Sequence, residues 1–397
     1  MDFTIPRHVE AIAHRVRQFL DQEVIPLESE LLRTGERLSV EMVQELRRKA
    51  RAAKLWAPTM PKAWGGMGLN IQEIVTVFEA AGRSLLGPLA IHCAAPDEGN
   101  MHLLQKFADE EQTQRYLVPL AKGETFSAFS MTEPSPGAGS DPRMILTRAE
   151  RDGDDWVING HKWLTSNGLL ADFFIIMAVT DPDVHPYQGT TQFLAPRATP
   201  GINILRDVPV MGGEDFGGHV EILYEDVRLP QSAILGGEGQ GFMLAQSRLG
   251  PARLTHCMRW TGIAQRALEI ATDYASEREA FGGPLTGHQS VQWMLADCEM
   301  ELKMGRLLIH EAAWRLAQGE QARVETSIAK VQVAETVSRV LDRCVQICGG
   351  RGISRDLPLS TWYEKSRAFR IYDGASEAHR MVVARDIIKR YGAAERR

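Results

Sequence analysis

The hydrophobic period of this chain changes twice, and the order of those changes limits the folds open to it. Up to about Gly123 the apolar residues recur at helical spacing. Val9, Ile12, Ala13, Val16, Phe19 and Leu20 follow Pro6, a good first-turn residue. Val40, Val43, Leu46, Ala50 and Ala53 repeat the pattern behind Ser39, an N-cap residue type. Asn70 with Glu73 resembles a capping box and precedes Ile71, Ile74, Val75 and Phe78. A Pro/Gly loop over 58–69 and a second loop over 94–100 separate these helices.

From about Glu124 to Arg228 the period becomes alternating. Phe129 and Met131 alternate with smaller residues, and Asp152-Gly153 and Asn159-Gly160 read as hairpin-turn pairs on either side of Trp156, Val157 and Ile158. Phe173 to Val179 reads as a buried strand, and Val220, Ile222 and Tyr224 as an alternating one. Short strands with Gly, Pro and Asp turns suggest a small antiparallel barrel or sandwich. After Gly236-Gly237-Glu238-Gly239-Gln240-Gly241 the helical period returns, with helices expected over roughly 240–275, 285–318, 322–349 and 377–392. The expected fold is therefore mainly α with an inserted β domain: 1–123 an N-terminal helical domain, 124–235 a central antiparallel β domain, and 236–397 a C-terminal helical bundle.

Composition removes several function classes. A net charge of -6 argues against a nucleic-acid partner, which calls for a basic face. The run Phe173 to Val179 is the longest uninterrupted apolar stretch and is too short for a membrane span. Met1-Asp2-Phe3-Thr4-Ile5-Pro6 has neither a basic n-region nor an apolar h-region, so a cytoplasmic protein is expected, without excluding an organelle. Cys93, Cys257, Cys298, Cys344 and Cys348 are dispersed, which fits reduced thiols and no metal site. The Gly-rich 236–241 stretch matches neither the dinucleotide fingerprint nor the phosphate loop, and no Gly-x-Ser-x-Gly elbow occurs.

Four segments carry candidate chemistry. Met131-Thr132-Glu133-Pro134 opens a small-residue loop reaching Ser140 and Asp141, rich in hydroxyls and backbone donors; taken alone it reads as a surface loop before it reads as a site. Arg278 and Phe281, followed by His288-Gln289, suit a pyrophosphate and a ring, or a capped helix end. Gln346 with Gly349-Gly350 allows close backbone approach to a ligand, or a helix C-cap. Tyr372-Asp373-Gly374 holds one carboxylate beside an aromatic shoulder, in a short break between helices. Partial desolvation there raises a carboxylate towards the range of a general base, although Asp-Gly is also a common turn pair.

Together, in this order and spacing, these segments resemble the acyl-CoA dehydrogenase family from about Arg7 to Arg390. The closer likeness is to its members ten and eleven, through Ala95-Pro96-Asp97-Glu98-Gly99-Asn100-Met101, Phe216-Gly217-Gly218-His219 and the 248–259 segment. The resemblance implies FAD as cofactor, a four-helix C-terminal bundle, and a homodimer or homotetramer. It implies that Phe129, Met131 and Thr132 contact the flavin ring, with Ser166 beside its N5 edge. It implies that Arg278, Phe281, His288 and Gln289 bind FAD in one subunit, Gln346 and Gly350 reach it across a dimer, and Ala375 and Glu377 lie near its adenine side. Ser140, Arg253, Tyr372 and Gly374 fall at substrate positions, and Asp373 at the position of the catalytic base.

The implied reaction is α,β-dehydrogenation of an acyl-CoA thioester to the 2-enoyl-CoA. Asp373 removes the α-proton, hydride passes to flavin N5, and an electron-transfer flavoprotein accepts the electrons. The backbone N–H of Asp373 and the flavin ribityl chain would steady the thioester oxygen. The chain departs from the wider family in carrying Asp373 for the usual Glu, Leu164 with Trp163 one residue before the usual flavin-stacking tryptophan, and a longer loop before Ser140. Ala252 stands at the alternative base position and cannot ionise. A nitroalkane oxidase-like enzyme, which also uses an aspartate base, and a non-catalytic homologue are the competing readings.

Overall fold

The computed structural model describes residues 4–392. Helices α1 (Arg7–Phe19), α2 (Ile25–Thr34), α3 (Val40–Ala52), α4 (Ile74–Ala81) and α5 (Gly87–Ala90) come first. Ser39 caps α3, its side chain accepting from the Met42 N–H at 3.2 Å. The Asn70/Glu73 capping box is present: Glu73 N–H donates to Asn70 Oδ1 at 3.0 Å, and Asn70 N–H donates to Glu73 Oε2 at 2.9 Å. Regular α4 starts only at Ile74, after a turn. Then follow α6 (Asp97–Phe107), α7 (Glu110–Gln112) and α8 (Val118–Ala121). The expected loop over 94–100 is thus cut short, because Asp97 and Glu98 already form the first turn of α6. Acidic groups there favour the positive end of the helix dipole.

The sheet comprises β1 (Ser127–Ser130), β2 (Arg148–Asp152), β3 (Asp155–Ser166), β4 (Phe173–Val179), β5 (Thr190–Pro196), β6 (Ile202–Asp207), β7 (His219–Pro230) and β8 (Ile234–Leu235). It is one eight-stranded sheet in the order β6-β7-β3-β2-β4-β5-β8, with β1 pairing β4. The pairings are antiparallel apart from β1–β4 and a single β2–β4 pair. Asp152 and Asp155 close the β2–β3 hairpin, as its Asp-Gly pair implies. Asn159-Gly160 is no turn. It lies inside β3, where the register with β7 shifts between Ile158 and Gly160. A glycine in a strand can mark a bulge as well as a hairpin, and here a Cβ on Gly160 would meet Thr147 Oγ1 at 2.3 Å.

The chain resumes as α9 (Gly241–Glu277), a small hairpin of β9 (Glu279–Ala280) and β10 (Gly283–Pro284), α10 (Gln289–Ala317), α11 (Arg323–Ile353), α12 (Leu359–Ser366) and α13 (Ser376–Tyr391). Period alone did not anticipate α12 or the 3₁₀ turn Arg367–Arg370 behind it, because both are short.

Two compact units result. One takes residues up to Thr59, Met67–Cys93 and the chain from Arg253 onward; the other takes Met60–Gly66 and Ala94–Ala252. The first has an apolar core in which Val16, Leu20 and Phe78 join Leu254, Met258, Ile263, Val337, Leu341 and Trp362. Within it α4 and α9 come together backbone to backbone. A Cβ on Gly82 would stand 2.1 Å from Arg259 O, and one on Gly262 would stand 2.1 Å from Glu79 O. The second unit buries Trp156, Ile158, Phe174, Ile176, Phe193, Ile222 and Tyr224 on its sheet. Among the described residues no helix is long and apolar enough to cross a membrane.

Candidate active site

In the first unit, the turn between the Arg367–Arg370 segment and α13 places Asp373 and Gly374 in successive left-handed conformations, φ +53° and +99°. Aspartate tolerates this region better than most residues, and glycine enters it without a steric penalty. Gly374 is also the residue for which there is room, since a Cβ would stand 2.8 Å from His379 Nε2. Three helices clamp the turn through its carbonyls. Arg253 Nε, from α9, donates to Asp373 O at 2.8 Å. Lys330 Nζ, from α11, donates to Gly374 O at 2.7 Å. His379 Nε2, from α13, meets Asp373 O at 3.3 Å, and its Nδ1 meets Ser327 Oγ at 3.1 Å. A carbonyl only accepts, so the His379 proton sits on Nε2.

The carboxylate itself meets an imidazole: His256 Nε2 lies 3.2 Å from Asp373 Oδ2. The side chains are 14% and 20% exposed, so the pair is largely but not wholly withdrawn from water. Tyr372 forms the aromatic shoulder, its ring 4.8 Å from that of His256 and 5.6 Å from that of Phe369, and its hydroxyl accepts from Trp260 Nε1. Burial lowers Lys330 to about 8, against the pull of Cys257 and Asp373. Burial, helped by the Arg253 and Lys330 cations, lowers His379 to about 4, so it is neutral near pH 7. Burial also lowers Arg253, with Asp373 opposing.

In the second unit, β1 ends at the Met131-Thr132-Glu133 segment. Glu133 is an anchor with no exposed role. It accepts from Lys162 Nζ at 2.9 Å, from Thr147 Oγ1 at 2.6 Å, and from the N–H groups of Leu146 and Thr147 at 2.7 and 2.9 Å. Lys162 also donates to Met131 O at 2.9 Å, and Trp163 N–H to Thr132 O at 2.8 Å. Burial lowers Lys162 to about 8, while Glu133 works against that shift. Lys162, anchored by Glu133, thus holds the backbone of Met131, and the Trp163 N–H holds that of Thr132.

Phe129 has the Arg248 guanidinium 4.3 Å from its ring centroid. Arg248 Nε donates to Asn100 Oδ1 at 2.7 Å, Asn100 Nδ2 to Ser127 Oγ at 2.8 Å, and Ser127 Oγ to Asp97 Oδ1 at 2.7 Å. Arg248 and the 95–101 segment therefore meet behind the strand that carries Phe129. Ser166 Oγ lies 2.9 Å from His219 Nδ1, and His219 Nε2 lies 2.8 Å from Asp215 Oδ2. The Asp215 carboxylate calls for the proton on Nε2, so Ser166 donates to Nδ1. Leu164 sits where the β3–β7 register shifts, at φ +55° and 38% exposed. Ser140 is exposed on the loop.

The remaining candidates of the first unit lie on its surface. Phe281 is 97% exposed at the tip of the β9–β10 hairpin, with φ +54°. His288 Nε2 meets Ala280 O at 3.0 Å, and its ring stands edge-on to Phe281. Arg278 follows the last residue of α9, and Gln289 opens α10. Gln346 and Gly350 are exposed around a break in α11 at Gly349, φ 54° and ψ -127°. Ala375 is half-buried and Glu377 is exposed at the start of α13. The fold thus gathers Arg253, Tyr372, Asp373 and Gly374, and pairs Phe281 with His288. Sequence reading missed His256, Lys330, His379 and Lys162. His256 stood inside the quoted 248–259 segment; a charged residue inside an apolar helical stripe was the signal for Lys330.

Family models for the acyl-CoA dehydrogenase N-terminal, middle and C-terminal domains match residues 6–124, 128–227 and 239–388. This chain belongs to the acyl-CoA dehydrogenase family. It is 38% identical to the Mycobacterium tuberculosis protein described as "Probable acyl-CoA dehydrogenase FadE2", over 98% of each chain. It is 37% identical to mouse acyl-CoA dehydrogenase family member 10 over 96% of this chain but only 37% of that longer protein. Megasphaera elsdenii butyryl-CoA dehydrogenase matches its fold at a TM-score of 0.86 and 28% identity, covering 98% of this chain and all of that one. Members of the acyl-CoA dehydrogenase family depend on FAD. The surfaces described suit such a group. The Phe129 ring is backed by a cation, the Phe281 ring is bare, and a Cβ on Gly349 or Gly350 would meet open space beyond its own stretch of chain.

Proposed function

We propose that this protein catalyses FAD-dependent α,β-dehydrogenation of an acyl-CoA thioester to the 2-enoyl-CoA, with Asp373 as the base that takes the α-proton. The observation that carries this reading is the clamped turn: a carboxylate on a left-handed residue whose carbonyls are held by Arg253, Lys330 and His379. Aspartate is one methylene shorter than glutamate, so its reach depends on a backbone that does not move. A misplacement of about 1 Å can cost roughly a hundredfold in rate. Ala252, at the alternative base position, has no ionisable group.

The α-hydrogen of a thioester is weakly acidic, and its removal needs a donor at the carbonyl oxygen; the N–H of Asp373 is the protein's candidate. Phe129, Met131, Thr132 and Ser166 would receive the flavin ring. Arg278, Phe281, His288, Gln289, Gln346, Gly350, Ala375 and Glu377 would hold the remainder of the cofactor. Bound FAD supplies the hydride acceptor. Ser140, Arg253, Tyr372 and Gly374 are assigned to the substrate, an electron-transfer flavoprotein to the reoxidation, and a homodimer or homotetramer to the assembly. Exposed Phe281, Trp293, Met300 and Ile353 support self-association.

The test is anaerobic mixing of FAD-loaded protein with a panel of acyl-CoA thioesters, followed by flavin bleaching. Asp373→Asn should remain yellow and bleach at least about a hundredfold more slowly. Normal bleaching by this variant would remove the base assignment, and oxygen uptake on nitroethane without acyl-CoA bleaching would replace the reaction itself.

A further inference from the structure

His256 stands one helical turn beyond Arg253 on α9, and Arg259 one turn beyond His256. Arg259 NH2 lies 3.1 Å from His256 Nδ1, while Arg259 NH1 donates to Cys93 O at 2.6 Å. Arg259 is 7% exposed, so the guanidinium is held in place. Guanidinium only donates. His256 Nδ1 therefore presents its lone pair to Arg259, and the ring proton is on Nε2, the nitrogen 3.2 Å from Asp373 Oδ2. A second proton, on Nδ1, would set N–H against N–H. The result is a directed chain: Arg259 donates to a neutral imidazole, and the imidazole donates to the carboxylate.

We propose that His256 is a positioning residue for the base, a tautomer-locked neutral donor that sets the rotation of the Asp373 carboxylate and favours its ionised form. The inference rests on Asp373 being the base and adds how that base is aimed. Terminal carboxylate torsions are broad and roughly two-fold, so a short side chain needs an external bond to choose its plane. The other groups that bear on the pair carry the field in which it works. Arg253 on α9, Lys330 on α11 and His379 on α13 interact with Asp373, Arg323 bears on Arg253, Cys257 and Glu377 bear on Lys330, and the Tyr372 ring packs on His256. Of these, Arg253, Lys330 and His379 engage the turn's carbonyls, whereas His256 engages the carboxylate.

The experiment compares FAD-loaded wild type, His256→Leu, His256→Gln and Asp373→Asn. The bleaching rate is followed against pH, together with thermal midpoint and FAD content. A hydrogen bond to a charged group favours ionisation, so His256→Leu should raise the pH midpoint of the base limb by about one unit and slow bleaching about tenfold. Glutamine keeps an amide donor near the Nε2 position, and His256→Gln should restore the wild-type midpoint. Long-range proton–nitrogen spectra of ring-labelled wild type should show His256 as the Nε2–H tautomer from pH 6 to 8. A wild-type midpoint in His256→Leu with lower thermal stability would reduce His256 to packing, and an Nδ1–H tautomer would overturn the proposal outright. If Asp373→Asn bleaches normally, the base assignment fails instead, which separates the two outcomes.

Discussion

Lys330, buried in the second turn of α11, donates from Nζ to the main-chain oxygen of Gly374 at 2.7 Å. A helix interior thereby reaches a turn 44 residues further along the chain. Lys330→Met should cost about 1–3 kcal/mol in urea unfolding, the usual penalty when a buried acceptor loses its donor. The pH dependence gives a second check. Burial takes Lys330 from 10.5 to about 8, so the unfolded chain holds that proton more tightly. Wild-type stability should gain a rising component between pH 8 and 10.5, and Lys330→Met should lack it.

His379 gives the opposite end of the pH scale. Its folded pKa of about 4 lies below the usual 6.5, again because burial disfavours the cation. The unfolded chain binds the proton first as the solution is acidified. Stability contributed by neutral His379 is present above pH 6.5 and is lost as pH falls towards 4. Urea midpoints of wild type and His379→Gln across this window should converge in acid and separate at neutral pH.

Glu133 and Lys162 form an ion pair with side chains 2% and 0% exposed. Glu133→Gln would leave a buried ammonium without its counter-charge and should destabilise the protein by about 3–5 kcal/mol. The Glu133→Gln, Lys162→Met double variant should recover part of that loss, because the two residues share one network. Chemical unfolding of the two variants against wild type measures both effects.

Phe281 predicts a contrast between stability and cofactor retention. Its ring is 97% exposed, so Phe281→Ala should leave the unfolding free energy of the FAD-free protein within about 0.5 kcal/mol of wild type. If the ring covers FAD, visible absorbance per chain should fall after gel filtration at equal protein concentration. Unchanged FAD content would remove Phe281 from the proposed cofactor residues.

Short-range rules were legible wherever the partner was close in sequence. The Ser39 cap spans three residues, the Asn70/Glu73 box the same, and the Asp152–Asp155 hairpin closes on itself. Asn159-Gly160 misled because the same dipeptide serves a hairpin and a bulge; the neighbouring Thr147 and the register against β7 decide which. The site divides in the same way. Asp373, Tyr372 and Gly374 announce themselves as one stretch. The clamp from Arg253 is 120 residues away along the chain. No local pattern reports that distance.

The order of helical and alternating periods, the buried β4 run and the family resemblance were determined by the sequence alone, since each depends on side-chain polarity at fixed spacing. Which nitrogen of His256 bears its proton, which carbonyl Lys330 reaches and what holds Glu133 were decided only when distant helices and strands packed. Periodicity states which face of an element is buried; it carries no information about what that face will meet.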